Sequence, residues 1–136
     1  GKILSVEPSA TIYEYLNTNV SQYTQAEAIQ ALVSQKSGLT SFYEFDTLYS
    51  EYNTLLPEQY DKSDWYASHV PEKTSREAYT IEDLCMKYKL SPDIIKIDVE
   101  GAEYQVVSTL KDTSLCPIII MEYILQEDKD LSLIHI

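Results

Sequence analysis

Three short apolar runs stand out along the chain, and each stops at a carboxylate. Residues 2–6 (Lys-Ile-Leu-Ser-Val) end at Glu7-Pro8. Ile94, Ile95 and Ile97 end at Asp98-Val99-Glu100-Gly101, and residues 118–121 end at Glu122. Runs this short and rich in isoleucine read as strands, the last two of the kind buried in parallel sheets. Pro8 cannot continue a ladder and biases Glu7 towards an extended conformation. Between the runs, apolar positions recur at helical spacing. Ile12, Leu16 and Val20 predict an amphipathic helix that Ser9 or Thr11 can cap. Thr80-Ile81-Glu82-Asp83 has the form of a capping box, with Asp83 in place of the usual Glu. It opens a helix carrying Ile81, Leu84, Cys85 and Tyr88, which Leu90-Ser91-Pro92-Asp93 breaks. Ala102, Val106, Val107 and Leu110 mark another helix.

The first half adds two strands and an ambiguous stretch. Residues 26–34 read as one strand, and Lys36-Ser37-Gly38 as a turn. Residues 39–45 alternate as a hairpin strand with both faces partly covered. Residues 47–79 are rich in Tyr, Ser, Glu and Asp without a sustained period. Thirty structureless residues are unusual in a compact domain, so this stretch is read either as an irregular functional arm or as a solvated insertion. Strands alternating with helices predict an α/β fold: an open, mostly parallel twisted sheet with helices on both faces.

Composition narrows the partners. The 136 residues make one domain or most of one. No stretch approaches the roughly 20 apolar residues that span a bilayer. A formal net charge of −12 repels phosphate backbones and anionic lipid heads, which sets aside nucleic acid and membrane surfaces and mildly favours a cationic ligand. Cys85 and Cys116 share no C-x-x-C spacing and read as buried thiols in a reducing, cytoplasmic compartment. His69 and His135 stand near no recognisable nucleophile, and no metal site, zinc included, is expected.

The acids at the strand ends carry the chemistry. In open α/β sheets, ligands bind outside the carboxyl ends of the strands. A parallel sheet therefore gathers Glu7, Asp98, Glu100 and Glu122 around one crevice. Glu7 can accept two hydrogen bonds from a ribose diol; it suits SAM (S-adenosylmethionine) and NAD equally, and an acid near a helix start is also stabilised by the dipole alone. Asp98 closes a very apolar run, so it is expected to face the crevice. It could bind an ammonium group, accept a substrate proton or hold a metal. Lys96 interrupts the isoleucines and is expected to pair with a neighbouring carboxylate. Gly101 permits a tight turn or a close approach. Glu103 reads as helix-end electrostatics.

Residues 93–103 (Asp-Ile-Ile-Lys-Ile-Asp-Val-Glu-Gly-Ala-Glu) resemble the signature of the FkbM-type methyltransferase family. Val6-Glu7-Pro8, residues 31–34 with Lys36-Ser37-Gly38 and Phe42-Tyr43, residues 80–84 and residues 117–122 are similar to that family's other segments in the same order. The resemblance implies a Rossmann-like class I methyltransferase fold with a seven-stranded sheet and SAM as methyl donor. It implies O-methylation of a hydroxyl on a small molecule or sugar. Carried over, Glu7 holds the SAM ribose, while Ala31, Leu32 and Ser34 lie near the adenine. Asp98 lies near the methionine moiety and the acceptor, Asp98 or Glu100 serves as general base, and Glu122 lies on the acceptor side. The family's glycine-rich loop and first strand would precede Gly1. Residues 1–130 are thus expected to be a partial domain, truncated at both ends, and 131–136 a non-native tail. With a central strand missing, two sheet edges are unpaired, so residues 1–136 alone are expected to be poorly stable and to bind SAM weakly. A nicotinamide-dependent oxidoreductase, using Glu7 the same way, and a non-catalytic Rossmann-like binding domain are the alternatives.

Overall fold

A computed structural model describes residues 1–110, 115 and 118–121. The chain opens with strand β1 (Ile3–Glu7), helix α1 (Ala10–Val20) and strand β2 (Ala26–Gln30). β1 and β2 pair in parallel, with Ile3 opposite Ala26 and Glu7 opposite Gln30. α1 is the crossover between them, and none of its residues is fully buried. Ser9 stands at its N-cap, but the Ser9 side chain makes no cap bond. The Ser9 backbone N–H donates to the Glu7 carboxylate instead, at 2.8 Å.

The expected strand over residues 26–34 is broken at Ala31. Its second part, β3 (Leu32–Val33), leaves β1 and pairs in parallel with β5 (Glu72–Tyr79). β5 also pairs antiparallel with β4 (Gly38–Glu44) along the full length of β4, from Gly38 opposite Ala78 to Glu44 opposite Glu72. The stretch 47–79 is therefore not irregular throughout, because its last eight residues are β5. The alternation that a strand needs is there, but charged residues stand at both its exposed and its half-covered positions.

Helix α2 (Ile81–Tyr88) follows at once. The Thr80 hydroxyl accepts the Asp83 N–H at 3.1 Å, as a capping box requires. The reciprocal half runs through a third residue. The Ser37 hydroxyl donates to the Asp83 carboxylate and accepts the Thr80 N–H. The turn before β4 is thereby fastened to the start of α2. α2 ends at Lys89 in the left-handed region, with the Leu90 N–H on the Cys85 carbonyl at 2.8 Å. Strand β6 (Ile94–Ile97), helix α3 (Glu103–Val107) and strand β7 (Ile118–Met121) complete the described chain, with β6 and β7 in parallel register.

The single, mostly parallel sheet expected from the sequence is thus resolved into three small hydrogen-bonded groups among the described residues: β1–β2, β3–β5–β4 and β6–β7. The longest ladder is antiparallel. α2 connects the groups through apolar contacts. Ile81 and Cys85, four residues apart and so on one helix face, pack with Ile97 and Val106. Leu84 and Tyr88 pack with Ile29, Ala31, Leu4 and Val6. β6 and β7 are less buried than their isoleucines suggest: Ile94, Ile118 and Ile120 are exposed, and Ile97 is the buried member of β6. No helix of the described residues is long and apolar enough to cross a membrane.

Candidate functional site

Glu7 ends β1 and is half-buried. Burial raises its carboxyl above the usual glutamate range; the Ser9 N–H opposes that shift, and the nearby Glu44 charge adds to it. The Ala31 N–H donates to the Glu7 carbonyl at 3.2 Å, so the break between β2 and β3 lies against the end of β1. Arg76, on β5, closes this corner. Its Nε donates to the Pro8 carbonyl at 2.8 Å, and its Nη2 pairs with Glu44 at 2.5 Å. Glu44 also accepts the Thr74 hydroxyl at 2.9 Å.

The second corner is the turn after β6. Side chains alternate along a strand, so Ile95, Ile97 and Val99 share the covered face. Lys96 and Asp98 share the other, and their exposed side chains form an ion pair at 2.9 Å. Asp98 thus falls on the solvent side of the strand end rather than in the core. Lys96 has the predicted carboxylate pairing.

Beyond Asp98 the backbone turns sharply. Glu100 has φ 49° and Gly101 φ 94°. The left-handed region costs a non-glycine residue about 1–2 kcal/mol, so Glu100 must be held there. Two sets of bonds do so. Glu103, 3% exposed, accepts the Val99 and Gly101 N–H groups on one carboxylate oxygen, at 3.1 and 3.2 Å. Glu103 is therefore a buried turn-locking group rather than simple helix-end electrostatics. From the other side, the Thr54 hydroxyl and the Gln59 amide donate to the Glu100 carbonyl, at 2.9 and 2.7 Å. Gln59's amide end also fills the space that a Cβ at position 101 would need, but it is the positive φ that favours glycine there.

Thr54 and Gln59 belong to the segment between β4 and β5. It carries three short 3-10 turns (Thr47–Tyr52, Pro57–Tyr60 and Tyr66–Ser68). Phe45, Tyr49, Tyr52, Tyr60, Trp65, Tyr66 and His69 form one web of ring contacts with centroids 4.0–6.4 Å apart. Most are tilted or edge-to-face, the arrangements aromatic pairs prefer. The Tyr60 hydroxyl is buried without a hydrogen-bond partner among the described residues. Burial first, then the Glu100, Tyr52 and Glu103 charges, keep that phenol neutral.

A family model described as the methyltransferase FkbM domain matches residues 1–134. The chain belongs to the FkbM methyltransferase family. No curated protein and no solved structure matches it. In this FkbM domain the residues expected at the site fall into two groups. Glu7 and Ala31 are joined by a backbone hydrogen bond, with Leu32 next in sequence. Ala31 and Leu32 are buried in the core. Ser34 is half-buried and donates its N–H to the Tyr79 carbonyl at 2.9 Å. Asp98 and Glu100 form the second group; Glu122 lies outside the described residues, as does Cys116, whereas Cys85 is buried in the core. Arg76, Glu44, Thr54 and Gln59 were not singled out by the sequence, because hydrogen bonds across tens of residues leave no local signal. Among the described residues, no three His, Cys, Asp or Glu gather as metal ligands. The groove lined by Lys2, Ile3, Leu4, Ala26, Tyr88 and Leu90 lies at the N-terminal ends of β1 and β2, opposite to Glu7.

Proposed function

We propose that this FkbM domain serves SAM-dependent methyl transfer to a hydroxyl of a small molecule or glycan, on a Rossmann-like class I scaffold. The observation that carries the reading is the built turn after β6. A strained Glu100 and a positive-φ Gly101 are held from both sides at the carboxyl end of a parallel strand, in a chain that belongs to a methyltransferase family. Carboxyl ends of parallel strands are where open α/β sheets bind ligands.

The residues at the end of β1 fit the nucleoside half of SAM. The Glu7 carboxylate has about four acceptor positions and gives one to the Ser9 N–H, leaving capacity for a ribose diol. The backbone of Ala31, Leu32 and Ser34 would lie along the adenine. Asp98, on the exposed face beside Lys96, would meet the methionine ammonium. SAM, when bound, supplies a methyl group on a sulfonium. The transfer is an in-line displacement, so the protein's main task is to orient the acceptor oxygen. Asp98 or Glu100 would take the hydroxyl proton, and Glu122 would contact the acceptor.

Calorimetric titration of the intact protein with SAM tests this reading, with NAD as the control. Saturable heat with SAM and none with NAD is expected. Glu7→Ala should weaken SAM about 10- to 100-fold, the range of one or two charge-assisted hydrogen bonds. Absence of heat at high SAM, or a response to NAD instead, would defeat it.

A further inference from the structure

The segment between β4 and β5 hydrogen-bonds the Glu100 carbonyl, in the turn after β6, twice. Thr54 is 1% exposed, and its backbone is pinned to β4 by a reciprocal pair with Tyr43 at 3.0 Å each way. Its hydroxyl donates to Glu100 and accepts from the Leu56 N–H and the Gln59 amide, at 3.0 Å each. The Gln59 amide spends one hydrogen on Thr54 and one on Glu100. The Thr54 hydroxyl, the Gln59 amide nitrogen and the Glu100 carbonyl are thus all bonded to one another. Nothing else about residues 54 and 59 calls for a polar pair at the edge of an aromatic web, where an apolar pair would pack without desolvation cost. The same segment is fastened at its β4–β5 root to the end of β1, through Arg76 on the Pro8 carbonyl.

We propose that Thr54 and Gln59 are positioning residues for the transfer site: they hold the Glu100 carbonyl so that the backbone delivers Asp98 and Glu100 in one fixed orientation. The inference rests on the methyl-transfer reading of that turn. It makes the aromatic segment part of the site's frame, because ordering of its 3-10 turns and ordering of the Glu100 turn are one event. Neither residue touches the reacting atoms; each acts through a main-chain oxygen.

The test uses the intact protein and three variants: Thr54→Val, Gln59→Leu and Thr54→Ser. Amide exchange by mass spectrometry reads the turn directly, and titration with SAM reads the site. Thr54→Val and Gln59→Leu are expected to speed exchange in residues 98–103 by tenfold or more. Exchange in β2 should not change, and SAM affinity should fall about tenfold. Thr54→Ser, which keeps the hydroxyl, should restore both. Unchanged exchange in the turn overturns the clamp. Faster exchange with undiminished SAM affinity overturns the positioning role while leaving the methyl-transfer reading intact. If the unaltered protein ignores SAM, that reading fails, and with it the positioning role, whereas exchange still decides whether the clamp exists. Should Thr54→Val unfold the protein, half-buried Gln59 carries the same comparison.

Discussion

Glu7 shows how much one residue's surroundings decide. Its carboxyl is raised by burial and by Glu44, against the pull of the Ser9 N–H. A carboxylate whose folded pKa lies above its unfolded value binds more protons when folded, so its ionisation weakens the fold as pH rises through that window. Glu7→Gln should therefore melt higher than the unaltered protein at pH 7, and the difference should close as pH falls towards the ordinary glutamate range. If Glu7 holds the SAM ribose as proposed, the same proton opposes that contact, so SAM affinity should drop on acidification in the unaltered protein. A Glu7→Gln protein no more stable at pH 7 than at pH 4, relative to the unaltered one, would refute the raised carboxyl. The letters of the 98–103 turn were legible in the sequence, but their roles were only partly so. Asp98 was expected to face open space because burying a carboxylate is costly, and the strand's period of two puts it with Lys96 on the exposed side. Glu103 looked superficial because it opens a helix, yet it is the acid that the turn encloses.

Elements were more legible than their partners. β1, α1, β4, α2, β6 and α3 all lie within a few residues of their expected places, because each has its own period and its own stop signal. Pairing was not readable in the same way. β4 finds β5 across residues 45–71, and residues 26–34 change partner at Ala31; neither choice has a local cause. Element ends also expose costs that sequence patterns overlook. α2 closes on Lys89 at φ 52°, with no glycine at the left-handed position. Removing the Cβ there relieves a strain of about 1–2 kcal/mol, offset by the greater chain entropy of glycine. Lys89→Gly should accordingly stabilise the protein by about 0.5–1 kcal/mol in urea unfolding. A loss of stability would mean that the Lys89 side chain contributes more than its backbone costs.

At the scale of the molecule, α2 carries the connection between sheets that share no ladder among the described residues. Its two stripes divide the work: Ile81 and Cys85 face Ile97 and Val106, and Leu84 faces Ile29 and Ala31. Truncating a buried Ile or Leu to Ala removes transfer energy and leaves a cavity, typically about 2–5 kcal/mol. Where packing rather than hydrogen bonding joins two units, the damage should stay local. Local openings then fall below the global unfolding energy, as native-state exchange resolves. Ile81→Ala should speed amide exchange in β6 more than in β2, and Leu84→Ala should do the reverse, while both lower the melting temperature. The expectation follows from the same geometry that separates the two halves of the candidate site. The carboxylate corner at Glu7 hangs on β1–β2, the one at Asp98 and Glu100 hangs on β6–β7, and α2 is packed against both. Equal acceleration of both sheets by both variants would show instead that the domain opens as one unit, with the two carboxylate corners coupled through the whole core.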